Sequence, residues 1–375
     1  MNLQNRPYII VPKLIVQPTW GGEYISKLKD WDKSDFLKDK KIGQSYELFS
    51  QSKLLINIMD SSSVNFIPEL GNPDTVEIDN KNIYKENIDY ISLSQVTDLT
   101  NKIPLIKITQ SNGNSFQIHI KEGMADSRWQ PKMESWYYFE DGLATLGLKK
   151  GINIDDYKNA CLKIDEKMKS LSNKILNKQM NLDEAKEIAK EFIKTINPWQ
   201  FINVLEIKKN QIMDSGNGGI HHSWEEDLIK FPNGNVLYEV QQDVMDPVST
   251  IRAFDKGKFK SDGSIRELHI EDYFKYLDIS DENNYIEKMF PKKQGSNLIT
   301  KKYYKLDLLE VADELTKKIE GSFIHLFVKS GKVTISAGEG EVILTRGHSC
   351  FISEKIDTYK IRSISEKSEL LKTFV

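Results

Sequence analysis

Six histidines are all the imidazole chemistry that a chain of 375 residues contains, and two of them stand in company that suggests a metal. In Gln117-Ile118-His119 the alternation of a strand points Gln117 and His119 to one face. Lys132-Met133-Glu134 repeats that spacing just before an aromatic run at 136–139. Gly218-Gly219-Ile220-His221-His222 sets a histidine behind a glycine pair, where backbone can approach a bound ion closely. His222, next on the same strand, would face the other way, so His221 is the candidate of that pair. One Gln, two His and one Glu make a mixed nitrogen and oxygen donor set with room for water or a substrate oxygen, in the manner of an open catalytic zinc site. Taken singly each has a plainer reading, because a His or Glu on a strand is more often hydrogen-bonded or solvent-facing than a ligand. His269, His325 and His348 have no partner pattern and read as structural.

These side chains need strands to position them, and most of the chain supplies strands. Segments 116–120, 136–139, 201–207, 236–240, 323–328, 332–337 and 341–344 are short and rich in β-branched or aromatic residues, with Asn-Gly, Gly-Asn and Ser-Gly steps between them. One hairpin is expected, with limbs at 227–231 and 235–240 around Pro232-Asn233-Gly234. Strands at this spacing argue for a sandwich or jelly roll.

Between 155 and 196 the period changes. Met168, Leu171 and Ile175, then Ala185, Ile188, Ala189 and Phe192, fall on the spacing of amphipathic helices. Asn181 with Glu184 three residues on marks the start of the second helix, and Asn197-Pro198 marks its end. The Lys and Glu on this pair read as a solvated face.

Composition narrows the function classes. At about 150 residues per domain the length allows two or three domains. Fifty-two Lys and Arg against fifty-five Asp and Glu leave a net charge of −3, which announces no nucleic-acid partner. Cys161 and Cys350 cannot build a disulfide framework and read as free thiols of a reducing compartment. No apolar run reaches the eighteen or so residues of a spanning helix, and residues 1–13 lack a secretory signal, so a cytoplasmic protein with no membrane partner is expected.

The order of several motifs adds a resemblance. Pro18-Thr19-Trp20-Gly21-Gly22, Ile42-Gly43-Gln44-Ser45-Tyr46-Glu47, Pro104-Leu105-Ile106-Lys107-Ile108 followed by Gln117-Ile118-His119, Lys132-Met133-Glu134-Ser135-Trp136-Tyr137, Gly218-Gly219-Ile220-His221, Glu239-Val240-Gln241-Gln242 and Ser249-Thr250-Ile251-Arg252-Ala253-Phe254-Asp255 are similar, in this order, to the motifs of type I mannose-6-phosphate isomerases of the cupin superfamily. The resemblance runs from about Pro18 to the C-terminus. It implies one zinc ion per chain, held by Gln117, His119, Glu134 and His221. It also implies that Lys132, Glu239 and Arg252 act on the sugar, with Lys258 beside the substrate. The chain departs from the family pattern at Ile120, where a proline is usual, and at Gln44, where a glutamate is usual. Two intervals, from His221 to Glu239 and from Glu239 to Arg252, look longer than in the family. Trp20, Gly21, Gly22, Gln241 and Gln242 read as structural, and Glu47 as either an ion-pair partner or a site-shaping residue.

The strand–glycine–strand rhythm from about Lys301 to the end resembles the family's C-terminal domain, without a two-histidine metal motif. The expected architecture is mainly β, two cupin-type jelly-roll domains with a helical insertion. Residues 1–150 would hold the first part of the N-terminal cupin, 151–198 the insertion, 199–260 the second part of that cupin, and 261–375 the C-terminal cupin-like domain. The expected activity is zinc-dependent aldose–ketose isomerisation between mannose 6-phosphate and fructose 6-phosphate, a small-molecule sugar phosphate. The alternatives are a same-fold isomerase for another sugar and a non-catalytic carbohydrate-binding cupin.

Overall fold

Alternating apolar and polar residues form strands where one face can be buried, and the computed structural model has them at Phe116–Ile118, Glu134–Tyr138, Ile202–Ile207, Asn235–Gln241, Ile324–Ser330, Lys332–Ala337 and Gly340–Thr345. The structure describes residues 3–18, 20–33, 37, 39–62, 69–71, 89–111, 113, 115–124, 126–215, 218–224, 227–280 and 284–375. Thr19 and the side chain of His222 lie outside the described residues. The fold is mainly β, and the chain divides into two units, 1–110 with 236–243 and 291–375, and 111–235 with 244–290.

The second unit carries a five-stranded antiparallel sheet in the order Ile202–Ile207, Gly142–Leu148, His221–Trp224, Phe116–Ile118, Ile251–Phe254. The two expected helices, Ile154–Leu176 and Leu182–Ile196, follow its second strand. Their apolar stripes, including Tyr157, Ile164, Met168, Ala185, Ala189 and Ile193, share one core with Phe116, Ile118, Ile251 and Phe254 of the sheet. One face of the sheet is therefore consumed by helix packing, and alternation leaves Gln117 and Arg252 for the opposite face. The second helix starts as the sequence suggests, with the Asn181 side chain accepting the Glu184 backbone N–H at 2.8 Å. It stops at Asn197, whose φ of +51° no helix continues. Ile212–Asp214 pairs with Glu134–Tyr138 in the same unit.

The expected hairpin is only half present. Asn235–Gln241 is a strand, and Gly234 takes the positive φ (+63°) that the Pro-Asn-Gly turn requires. Segment 227–231 is a turn rather than a strand. The Asp227 carboxylate accepts the Lys230 backbone N–H at 2.9 Å, and the Phe231 N–H reaches back to the Asp227 carbonyl at 2.8 Å. A side-chain acceptor that satisfies local backbone donors in this way competes with strand pairing.

In the first unit an eight-stranded sheet runs in the order Asn297–Thr300, Lys305–Val311, Ser368–Phe374, Ile324–Ser330, Ser349–Ile352, Tyr8–Val11, Lys53–Leu55, Tyr90–Ser92. A four-stranded sheet of Glu314–Lys318, Thr358–Ser363, Lys332–Ala337 and Gly340–Thr345 lies against it. Leu326, Val328, Ile352 and Leu370 from the first and Val333, Ile335, Leu344 and Ile361 from the second form one core, the packing of a β-sandwich. The same unit holds strands Asn235–Gln241, Leu105–Ser111, Ile42–Leu48, Lys13–Val16 and Glu69–Gly71, adjacent in that order. Gly21 is structural, since a Cβ there would meet Gln17 O and Gly43 N at 2.8 Å.

Glu47 of this unit is an ion-pair partner. Its Oε1 lies 2.7 Å from Lys29 Nζ with both side chains at most 1% exposed. Ser45 and Ser349 donate to the carboxylate at 2.6 and 2.9 Å, and Lys29 donates also to the Gly347 carbonyl. A pair so fully hydrogen-bonded can offset the cost of desolvating two charges. His325 and His348 are buried in the same unit, and His325 Nδ1 bonds the Tyr238 hydroxyl at 3.2 Å. Cys161 and Cys350 are free thiols, both buried. No helix among the described residues is long and apolar enough to cross a membrane.

Candidate metal centre

Antiparallel register sets His221 opposite Gln117, and Gln117 opposite Arg252, so three neighbouring strands put one residue each in a single row. Directly opposed residues share a face, and this is the face the helices leave open. His119 follows Gln117 on the same side just past the strand's end. Glu134 opens the strand Glu134–Tyr138.

Together these elements gather His119, Glu134 and His221 so that one ligand atom from each lies within 4.8 Å of the others. His119 Nε2 is 3.2 Å from Glu134 Oε2, and His221 Nε2 is 2.9 Å from Glu134 Oε1. All three side chains are at most 1% exposed. Gln117 Nε2 reaches His221 Nε2 at 3.2 Å, so a turn of the amide about its last bond would present Oε1 to the same point.

The far side of each imidazole explains what the near side can do. His119 Nδ1 donates to the Ser249 carbonyl at 2.7 Å, and His221 Nδ1 to the Gly219 carbonyl at 3.1 Å. A carbonyl only accepts, so in the neutral rings both Nδ1 atoms carry the proton and both Nε2 atoms present lone pairs. Those lone pairs face a carboxylate, which is itself all acceptor. His119 Nε2 and both Glu134 oxygens accordingly have no hydrogen-bond partner although they are buried. Even with the Lys132 ammonium 3.2 Å from Glu134 Oε2, acceptors that face one another in this way still favour a cation among them. Carbonyl-anchored imidazoles of this kind are how proteins orient histidine ligands.

The electrostatics agree. Burial pushes the His119 pKa down to about 4, and the nearby Lys132 ammonium adds to this against the pull of Glu134, so the ring is neutral at pH 7. Burial alone would raise the Glu134 pKa, but Lys132 first and the two imidazoles next hold it well below the carboxylate range. Two imidazole nitrogens, a carboxylate and an amide oxygen suit zinc. The Trp136 ring stands edge-on to His221 at a centroid distance of 5.5 Å and limits its rotation.

The other expected residues divide by location. Lys132 is 2% exposed, with Nζ 3.2 Å from Glu134 Oε2 and 3.3 Å from Asp246 Oδ1. Arg252 donates from Nε to Ser115 Oγ at 3.0 Å and from Nη1 to the Thr250 carbonyl at 3.3 Å. Its Nη2 is 3.9 Å from Asp246 Oδ2. Lys258 donates to the Gly113 carbonyl at 2.6 Å. Glu239 belongs to the first unit, where Oε1 pairs with Lys107 at 3.2 Å and Oε2 accepts from Thr109 at 3.1 Å.

Sequence reasoning missed Asp246. It sits in the interval before Arg252 that looks like an insertion, and it opens the short helix Asp246–Ser249 with Pro247 at its start. An acid directly before a proline in that interval was the available signal.

Residues 295–367 match the family model described as mannose-6-phosphate isomerase, cupin domain. No curated protein sequence matches the chain. Among solved structures, the mannose 6-phosphate isomerase from Bacillus subtilis is 13% identical, with a TM-score of 0.63 over 99% of this chain and 100% of that one. A putative mannosephosphate isomerase from Archaeoglobus fulgidus is 15% identical, with a TM-score of 0.60 over 100% of this chain and 98% of that one. A zinc-bound mannose 6-phosphate isomerase is 13% identical, with a TM-score of 0.61 over 98% of this chain and 99% of that one. Residues 295–367 thus match the cupin-domain model of mannose-6-phosphate isomerases, and along its whole length the chain shares the fold of those solved isomerases.

Proposed function

We propose that the protein is a zinc-dependent aldose–ketose isomerase interconverting mannose 6-phosphate and fructose 6-phosphate. The observation that carries this reading is the buried convergence of His119 Nε2, His221 Nε2 and the Glu134 carboxylate, three acceptors facing one point, with both Nδ1 atoms anchored to carbonyls. The fold shared with mannose-6-phosphate isomerases supports it, and zinc is bound in one of those relatives.

His119, Glu134 and His221, with Gln117 as the fourth donor, would hold the metal. When bound, zinc supplies Lewis acidity toward the substrate's oxygens. The remaining work falls to side chains. Isomerisation moves a proton between adjacent carbons through an enediol, so anionic oxygen has to be stabilised and a proton carried. Arg252, permanently protonated, sits in the same strand row as Gln117 and His221, where it can hold developing oxyanion or phosphate as a fork. Lys132 adds a second cation beside Glu134. Lys258 is the further substrate contact, and Glu239 is kept as the candidate proton carrier.

A coupled assay over a panel of mannose 6-phosphate, unphosphorylated mannose and other aldose phosphates tests the substrate. Highest kcat/KM on mannose 6-phosphate is expected. Turnover confined to another sugar would move the substrate, and zinc binding with no turnover on any would leave a carbohydrate-binding cupin.

A further inference from the structure

Lys132 raises a problem of charge that the proposed metal would sharpen. Its ammonium is buried, and two carboxylates stand beside it, Glu134 at 3.2 Å and Asp246 at 3.3 Å. Glu134 is also the carboxylate among the metal donors. A divalent cation drawn to Glu134 takes that negative charge for itself and repels the ammonium, and a buried cation left without its partner is strongly unfavourable.

Asp246 is placed to resolve this. Its Oδ1 accepts from Thr250 Oγ1 at 3.2 Å in addition to facing Lys132, and its Oδ2 faces Arg252. The turn it opens is itself braced, because the Thr250 N–H donates to the Asp246 carbonyl at 3.0 Å and the Gln130 N–H to the Val248 carbonyl at 2.7 Å. The carboxylate is thus held facing Lys132 and Arg252. Half of its side chain is exposed, so it can be changed without opening a cavity.

We infer that Asp246 is a positioning residue: it holds the buried Lys132 ammonium off Glu134 when a cation enters, and so raises the affinity of the site for a divalent metal. This rests on the metal site proposed above. Without the Asp246 carboxylate, Lys132 is drawn more strongly to Glu134 and competes with the metal for it.

The test is zinc affinity, measured on the full chain by competition with a chromophoric chelator, for wild type, Asp246→Asn, Lys132→Met and the double variant. Asp246→Asn should weaken zinc about tenfold, the lower range for residues that act behind metal ligands. The same substitution in the Lys132→Met background should change affinity less than twofold, and Asp246→Glu should recover most of the loss. Equal affinity of wild type and Asp246→Asn would overturn the inference. So would an equal loss in both backgrounds, which would place the effect in the turn's backbone, or a loss in Asp246→Glu as large as in Asp246→Asn, which decides the matter if Lys132→Met fails to fold. The wild-type arm separately reads the metal site, since absent zinc binding there refutes the site itself.

Discussion

His119 donates from Nδ1 to the Ser249 carbonyl at 2.7 Å, and that one bond ties the tautomer of a candidate ligand to the residue three places before Arg252. The ring that must present a lone pair and the guanidinium that must meet an anion are thus positioned by one stretch of backbone. Their functions nevertheless separate chemically, which makes the account testable residue by residue.

Removing a ligand should remove the metal. His119→Ala and Glu134→Ala are each expected to weaken zinc by more than a hundredfold, because even residues behind the ligands are worth about 10–100-fold. Circular dichroism should show both variants folded. Unchanged zinc content in both would sink the proposed site.

Arg252 makes no contact with the imidazoles or Glu134 among its described bonds, so Arg252→Ala should keep zinc while losing turnover. A loss on the order of 10²–10³ in kcat is expected for one charge-stabilising donor. Parallel loss of zinc would show that the residue supports the metal site instead.

Stability should depend on pH through two histidines of the first unit. Burial, and then the Lys29 ammonium, hold the pKa of both His325 and His348 at about 3, against 6.5 for the free side chain. The unfolded chain therefore binds protons that the folded one refuses, so the stabilisation is complete above pH 6.5 and is lost as pH falls toward 3. Each ring contributes a slope of about 1.4 kcal/mol per pH unit, and urea midpoints at pH 7 and pH 5 measure it. A midpoint that does not move over that interval would contradict the burial of these rings.

The Lys29–Glu47 pair predicts an asymmetry. Lys29→Met alone leaves Glu47 buried without its cation and should cost about 3–5 kcal/mol, whereas Lys29→Met with Glu47→Leu should recover much of that loss. Chemical denaturation of both variants checks it; a double variant no better than the single would mean that packing rather than charge governs the site.

Much of this was legible in the sequence because it depends on local periodicity. Alternation placed Gln117 and His119 on one face, and the 3–4 spacing found both helices with Asn181 and Asn197 at the ends of the second. What was not legible depends on side chains meeting across the fold. Asp227 uses its carboxylate to satisfy the Lys230 N–H and turns an expected strand limb into a turn. Asp246 stands beside Lys132 only through the tertiary fold, and no local pattern encodes that meeting. The local sequence of Glu47 does not encode its partner Lys29, which only the fold brings to it. The two units interleave along the chain, and no shift of composition marks where the backbone passes from one to the other.

The most direct measurement is zinc content together with mannose 6-phosphate to fructose 6-phosphate turnover, before chelation, after it, and after zinc is restored. The account predicts about one zinc per chain and activity that disappears and returns with the metal. Turnover that survives complete removal of the metal would contradict it.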